Sequence, residues 1–272
     1  MRSACFPSTT TIFRRPGPDD VTQIVWVDAG MPLPDARRAG VQGLLAAGAD
    51  LSVARLEEAY TKGIFPWFNE GDPVLWWSPD PRMVLACDAL HISRSLDRRL
   101  RRLARAEACD GPHPGQGVST NLAFDAVMGA CAQAVPGREL TWISADMRAV
   151  YGAWHRAGRV HSVEVWQDGV LAGGLYGVCL GRMFFGESMF SRMPDASKLA
   201  LVYLVRHLQR LGIAHIDCQQ ETPHLASLGA QPMARLDFLA LLQREVPLPS
   251  PSWGRGWLLQ DGRFAPGAAA AR

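Results

Sequence analysis

His161-Ser162-Val163-Glu164-Val165-Trp166-Gln167-Asp168-Gly169-Val170-Leu171 reads as two strands joined by a two-residue turn. Apolar and polar residues alternate with the period of a half-buried strand, and Asp-Gly supplies the positive φ angles that a tight hairpin turn needs. The return strand passes through Gly173-Gly174, where a bulge is expected, into Leu175-Tyr176-Gly177-Val178-Cys179-Leu180. A second tight turn at Gly181-Arg182 leads into Met183-Phe184-Phe185, which makes a meander of at least three strands. Its last strand runs on as Gly186-Glu187-Ser188-Met189-Phe190-Ser191, with one carboxylate among apolar and small residues. A buried acid needs a partner. Beyond an intervening helix, Ile216-Asp217-Cys218-Gln219 sets a second acid and an amide in a short strand. Residues two apart in a strand share a face, so Asp217 and Gln219 are expected on one side. The two segments are expected to lie next to each other as the floor of an active site.

Working outward, a helix opens at Ser52 as N-cap, runs through Val53, Leu56, Ala59 and Tyr60, and stops at Gly63. Further helices are expected from Asn121 as cap (Phe124, Val127, Met128, Cys131), from Ser144 as cap (Met147, Val150, Tyr151, Trp154), from Asp195 as cap (Leu201, Leu204, Val205, Leu208, Leu211), and over Leu225–Leu228 and Leu236–Leu242. Gly111–Gly117 reads as a loop. Between Gly63 and Arg82, three tryptophans (Trp67, Trp76, Trp77) are interleaved with prolines and glycines, which rules out regular structure throughout. Most of these rings are expected to fill a gap between layers, with at least one open for stacking on a base. His91–Arg105 carries Arg94, Arg98, Arg99, Arg101, Arg102 and Arg105 against Asp97 alone; as a helix it would present a basic face, either solvated surface or a phosphate-binding one.

The chain has 272 residues, 48% of them hydrophobic and 20% charged, an ordinary balance for a soluble protein with a sizeable core. Its net charge of +2 is too small to imply nucleic acid by itself. Six scattered cysteines form no C-x-x-C pair and no zinc-ligand cluster, which is expected of reduced thiols in a cytoplasmic protein. No apolar run has the length of a signal peptide or a membrane span. Residues 1–22, rich in Ser, Thr, Pro and Arg, read as a disordered leader, and residues 250–272 as a frayed tail.

There is no Gly-x-Ser-x-Gly elbow, P-loop, dinucleotide glycine fingerprint or His-Glu-x-x-His, so hydride transfer, phosphoryl transfer and zinc hydrolysis lose support. A meander, a helix and then a strand ending in polar residues is the arrangement of N-acyltransferase folds, in which a splayed mixed sheet admits an acyl donor and an amine.

The residues themselves go further. Gly63-Ile64-Phe65-Pro66-Trp67-Phe68, Leu75-Trp76-Trp77-Ser78-Pro79-Asp80-Pro81-Arg82, His91-Ile92-Ser93-Arg94-Ser95, Thr141-Trp142-Ile143, the Val163 and Gly177 strands, Gly186–Ser191 and Asp217-Cys218-Gln219 follow one another in order. Over about residues 23 to 245 this series resembles the leucyl/phenylalanyl-tRNA–protein transferase family. The resemblance implies an α+β fold: a small N-terminal domain (23–81) on an N-acetyltransferase-like (GNAT-like) mixed sheet with flanking helices (82–249). It implies a monomeric cytoplasmic enzyme, with no metal and no cofactor, that moves Leu, Phe or less readily Met from aminoacyl-tRNA onto acceptor proteins with N-terminal Arg or Lys, marking them for degradation.

By the same resemblance, Gln219 receives the attacking amine's hydrogen bond while Asp217 orients and polarises the amide. Positioning alone, with the proton leaving through water or the terminal ribose, remains equally open, because an amide is a poor base. Glu187 binds the donor's ammonium or fixes a neighbouring group. Leu175, Phe184, Met189 and Ile216 would form the donor side-chain pocket, where a missing methylene is worth only about 1–3 kcal/mol. Trp67 and Trp142 would hold the tRNA 3′ adenosine, and Arg94, Arg98, Arg99, Arg101 and Arg102 the tRNA backbone. Glu164 or Glu221 could contribute to acceptor recognition. The alternatives are a coenzyme A-dependent N-acetyltransferase, opposed by the missing phosphate loop at the Asp195 helix, and a non-catalytic tRNA-binding module, which leaves Glu187, Asp217 and Gln219 without a use.

Overall fold

The computed structural model describes residues 24–133 and 141–266. The expected leader, 1–22, lies outside them. Among the described residues the chain is α+β, with two mixed sheets and seven α-helices.

The first sheet comprises β1 (Val25–Val27), β2 (Leu44–Gly48), β3 (Phe65–Pro66) and β4 (Val74–Trp77), in the order β1-β2-β4-β3. Its strands stay short around Pro66, Pro73 and Pro79, because proline cannot donate to a ladder. Helix α1 (Val53–Thr61) packs beside it, and the Ser52 hydroxyl accepts the Arg55 backbone N–H at 3.2 Å, as the cap signal requires. Trp76 and Trp77 are buried, as expected of most rings in this segment.

After Pro81 the chain enters the second sheet as β5 (Arg82–Ala86) and continues through α2 (Arg94–Asp110), β6 (Gln116–Thr120), α3 (Phe124–Cys131) and α4 (Ala145–Arg156). The meander follows as β7 (Val160–Gln167), β8 (Val170–Leu180) and β9 (Met183–Ser191), then α5 (Ala196–Arg210), β10 (His215–Gln219), α6 (Pro223–Ser227), β11 (Gln231–Met233), α7 (Arg235–Glu245) and β12 (Gly256–Leu258). The eight strands lie in the order β11-β5-β10-β9-β8-β7-β6-β12. All neighbours are antiparallel except β9 and β10, which run parallel because α5 carries the chain back across the sheet.

Each face of this sheet has its own core. Side chains alternate along β9, so Phe184 joins Leu96, Leu100, Leu201 and Leu204 of α2 and α5. Phe185 joins the opposite core with Tyr60, Trp76, Tyr151, Trp154 and Phe238. The smaller sheet and α1 therefore share one core with α4, α7 and the larger sheet. Helix α5 presses close to β8: a Cβ at Gly173 would lie 2.5 Å from that of Ala196.

Several local expectations are corrected. The β7–β8 register shift falls opposite Ala172, one residue before the expected Gly173-Gly174 site. The loop over Gly111–Gly117 gives way to β6 at Gln116. Asn121 is not the cap of α3: it sits at φ 58°, and the carboxyl of Glu164 takes the Leu122 and Ala123 N–H groups instead. Asp195 makes no side-chain cap bond to α5, because its carboxylate is drawn to Lys198 at 3.0 Å and Arg99 at 3.7 Å.

The frayed tail is also corrected for residues 250–266. β12 closes the edge of the sheet against β6, Trp253 stacks on His161 with ring centroids 4.1 Å apart, and the Trp253 indole donates to Thr120 Oγ1 at 2.9 Å. The Pro- and Gly-rich composition obscured the few apolar anchors that hold this segment. Leu258 is fully buried, so Leu258→Ala should cost about 2–5 kcal/mol in urea unfolding. A frayed tail would leave stability unchanged.

Candidate active site

Parallel pairing between β9 and β10 covers Met183–Phe185 against His215–Asp217. Beyond these residues each strand carries a bulge. In β9, Gly186 faces Gly177 and Ser188 faces Tyr176, which leaves Glu187 as the extra residue. In β10, Asp217 faces Val84 and Gln219 faces Met83, which leaves Cys218 as the extra one and turns Gln219 to φ 62°. The β9 bulge depends on Gly177, where a Cβ would fall 2.3 Å from the Phe185 carbonyl oxygen. Bulges re-aim side chains, and here they bring Glu187 and Gln219 together.

A cavity of about 280 Å³ opens where the strands part. Leu175, Phe184, Met189 and Ile216, the four expected donor-pocket residues, line it together with Leu201, Leu204 and Leu225. Glu187 and Gln219 belong to its polar lining, with Ser188, Thr222 and His224. Cys218 also lines it, but burial first, and then the Asp217 charge, push its thiol up to about 12. It carries no thiolate at neutral pH and is no nucleophile there.

Glu187 is gripped by three donors. The Tyr60 hydroxyl donates to Oε1 at 2.6 Å, the Tyr151 hydroxyl to Oε2 at 3.3 Å, and Gln219 Nε2 to Oε1 at 3.2 Å. The two tyrosine oxygens lie 2.5 Å apart. Burial pushes the Glu187 carboxyl up to about 7, reinforced by the Asp217 charge and opposed by the Tyr60 hydrogen bond. Near neutral pH it therefore samples both charged and neutral forms. Gln219 Nε2 donates one N–H to Glu187, and the amide oxygen, the one acceptor on this side chain, is the atom that can accept from a ligand.

Asp217 has different company from that expected. It is fully buried, and its two oxygens take the Arg82 guanidinium as a fork, Nε at 2.8 Å and Nη2 at 2.7 Å. Oδ1 also accepts the backbone N–H of Gln219 at 2.8 Å. Asp217 thus orients the Gln219 main chain, while Glu187 holds the Gln219 amide. The Gln219 amide is bonded to Glu187, and Asp217 meets Gln219 through the main chain, where the bulge at Cys218 turns Gln219 to φ 62°.

Trp67 and Trp142 are partly buried against the core shared with the smaller sheet, and Trp67 meets Trp77 edge-on at 5.8 Å. Neither lines the cavity. Arg94, Arg98, Arg99, Arg101 and Arg102 all stand exposed on α2, whose Leu96, Leu100 and Leu103 face inward. Arg101 pairs with Asp97 at 2.9 Å and Arg99 with Asp195. Glu164 is fully buried, bonded to Ser119 and Ser162, and is removed as an acceptor-recognition residue; Glu221 remains exposed. Sequence reasoning passed over Tyr60 and Tyr151, which it read as apolar stripe positions, and gave Arg82 no role. The available signal was chemical: a buried tyrosine hydroxyl or guanidinium needs a partner.

The raised Glu187 carboxyl has a consequence for stability. The folded protein keeps this proton up to about 7, whereas the unfolded chain releases it near 4.5, so the group's contribution falls as pH rises between these values and is level above them. Urea unfolding of wild type and Glu187→Gln at pH 5 and pH 8 should show wild type losing more stability than the variant over that interval. Equal losses would contradict the raised value.

The sequence model described as Leucyl/phenylalanyl-tRNA protein transferase matches residues 84–243, and that of its N-terminal domain matches residues 49–80. A Bordetella petrii protein named leucyl/phenylalanyl-tRNA–protein transferase is 53% identical over 246 residues, covering 90% of this chain and 96% of its own. Relatives of the same name from Bordetella avium (52%, covering 88% of this chain and 96% of theirs) and Thiobacillus denitrificans (55%, 76% and 86%) agree. Among solved structures, the C-terminal domain (DUF2156) of an Agrobacterium fabrum protein assigned as a lysylphosphatidylglycerol synthetase matches with TM-score 0.32 and 13% identity, over 72% of this chain and 57% of that one. That likeness is too loose to argue from. With matched segments on both sides of Pro81 and relatives spanning most of its length, the chain belongs to the leucyl/phenylalanyl-tRNA protein transferase family.

Proposed function

We propose that the protein transfers Leu or Phe, and Met less readily, from aminoacyl-tRNA to the N-terminal Arg or Lys of acceptor proteins and so marks them for degradation. The observation that carries this reading is the mainly apolar cavity whose lining includes the hydrogen-bonded pair Glu187 and Gln219. Its size suits one unbranched or γ-branched side chain, and the flexible wall residue Met189 tolerates several. On this reading residues 82–249 form a GNAT-like catalytic unit, a description supported by the parting of β9 and β10, and residues 23–81 form the N-terminal domain that contributes Tyr60.

The donor is an ester, already activated, so the site needs to place an amine rather than supply a covalent nucleophile. The acceptor's α-amino nitrogen attacks the ester carbonyl carbon; the C–N bond forms as the C–O bond to the tRNA ribose breaks, and the amine's proton ends on the ribose oxygen, through water or directly. An α-amino group titrates near roughly 7.7–8.0, so a fair fraction is neutral at the start. The Gln219 amide oxygen accepts an N–H of the attacking amine, and Glu187 holds that amide still. In its charged form Glu187 also attracts the donor's ammonium, which keeps the side chain seated in the cavity. Trp67 and Trp142 hold the terminal adenosine, each stack worth about 1–3 kcal/mol. The exposed arginines of α2 contact the tRNA backbone.

Incubation with labelled leucyl-tRNA and a peptide beginning with Arg should give labelled peptide; no label, with tRNA binding intact, would sink the proposal. Wild-type binding of leucyl-tRNA should weaken steeply with salt, and charge reversal at Arg98 and Arg101 should raise KM for leucyl-tRNA, flatten that salt dependence and spare a short leucyl-adenosine donor. A matching loss on both donors would instead indicate damage to the fold.

A further inference from the structure

We infer that Arg82 is a positioning residue for the transfer reaction, acting through Asp217 to fix where the Gln219 amide stands; this rests on the function proposed above. Arg82 is 1% exposed, at the first position of β5. Its Nε and Nη2 grip both oxygens of Asp217, its Nη1 donates to the Gly63 carbonyl at 3.2 Å, and its guanidinium lies 4.7 Å from the centres of both the Phe65 and Phe238 rings. Every nitrogen of the guanidinium is thus engaged, and two aromatic rings pack against it.

Two sides of the site converge on this one group. Gly63 ends α1, the helix that brings the Tyr60 hydroxyl to Glu187. Asp217, on the other side, accepts the Gln219 backbone N–H just after the bulge, at the residue forced to φ 62°. A non-glycine residue at positive φ needs surrounding contacts to hold it there. The chain Gly63 carbonyl, Arg82, Asp217, Gln219 N–H therefore sets the distance between the Tyr60–Glu187 pair and the Gln219 amide that Glu187 holds.

This geometry distinguishes two roles for Asp217. If its negative charge polarised the Gln219 amide, charge would be the property that matters. Instead both its oxygens face a guanidinium and a main-chain N–H, and it makes its contact with Gln219 through that N–H, so the shape of the pair is what positions Gln219. A neutral pair of similar shape should then work. In Arg82→Gln with Asp217→Asn, the amide oxygen introduced on β10 can still accept the Gln219 N–H, while its amide nitrogen donates to the carbonyl of the side chain introduced on β5.

The test measures kcat and KM for leucyl-tRNA in wild type, Arg82→Lys, Asp217→Asn and the double variant Arg82→Gln/Asp217→Asn, each assayed well below its own unfolding midpoint. Arg82→Lys keeps the positive charge and the Asp217 charge but loses the fork. It should lower kcat by about tenfold or more with KM changed by less than about twofold. Asp217→Asn, which leaves Arg82 without its partner, should fall further, and the double variant should regain at least about tenfold over it. Wild-type kcat in Arg82→Lys, or a double variant no better than Asp217→Asn, would overturn the inference. Arg82→Lys answers the same question if the double variant fails to fold. Wild type that transfers nothing would instead remove the proposed function and leave this pair as a fold element alone.

Discussion

Two carboxyl groups, the fully buried Asp217 and the half-buried Glu187 at the cavity, lie on adjacent strands, and the cost of desolvating them governs what surrounds them. Each is stabilised differently. Asp217 is neutralised by a bidentate arginine, and a pair of that kind is expensive to break, about 3–5 kcal/mol, because removing one partner strands the other. Glu187 has no cation at hydrogen-bond distance among the described residues; it is bonded by two tyrosines and an amide and shifts toward its neutral form. The asymmetry leaves Asp217 locked in an arginine fork and Glu187 with a raised carboxyl at the edge of the cavity.

The backbone makes this arrangement possible. A parallel pair flanked on both sides by antiparallel strands has to end somewhere, and here its last paired residues lie within two positions of both acids. Bulges on β9 and β10 then turn Glu187 and Gln219 toward each other, while Phe184 and Ile216 keep to the apolar side. One opening therefore has an apolar wall drawn from the α5 core and a polar end contributed partly by the helix of the smaller sheet. Because Tyr60 comes from α1, the site cannot be assembled from the larger sheet alone.

Much of this was legible in the chain. Period and turn chemistry located the meander, and Ser52 and Ser144 marked helix starts that the structure keeps. The pocket residues Leu175, Phe184, Met189 and Ile216 came from a resemblance in motif order, and they do line one cavity. What stayed hidden depends on partners distant in sequence. Arg82 and Asp217 are 135 positions apart, so nothing local announces their pairing. The bulge at Cys218 is a matter of register against β5, and it broke the assumption that residues two apart share a face. Glu164 alternates within its strand like an exposed acid, yet Ser119, Ser162 and the start of α3 enclose it. The edge strands β11 and β12 have three residues each, too few for a periodic pattern.

The central claim is that the opening between β9 and β10 receives the transferred amino acid. A crystal structure with a non-hydrolysable leucyl-adenosine amide tests it most directly. The leucine side chain should lie among Leu175, Phe184, Met189 and Ile216, with its amino group toward Glu187. Leucine seated instead in the groove between Arg37, Lys62 and Leu239, where a larger cavity lies, would contradict the account.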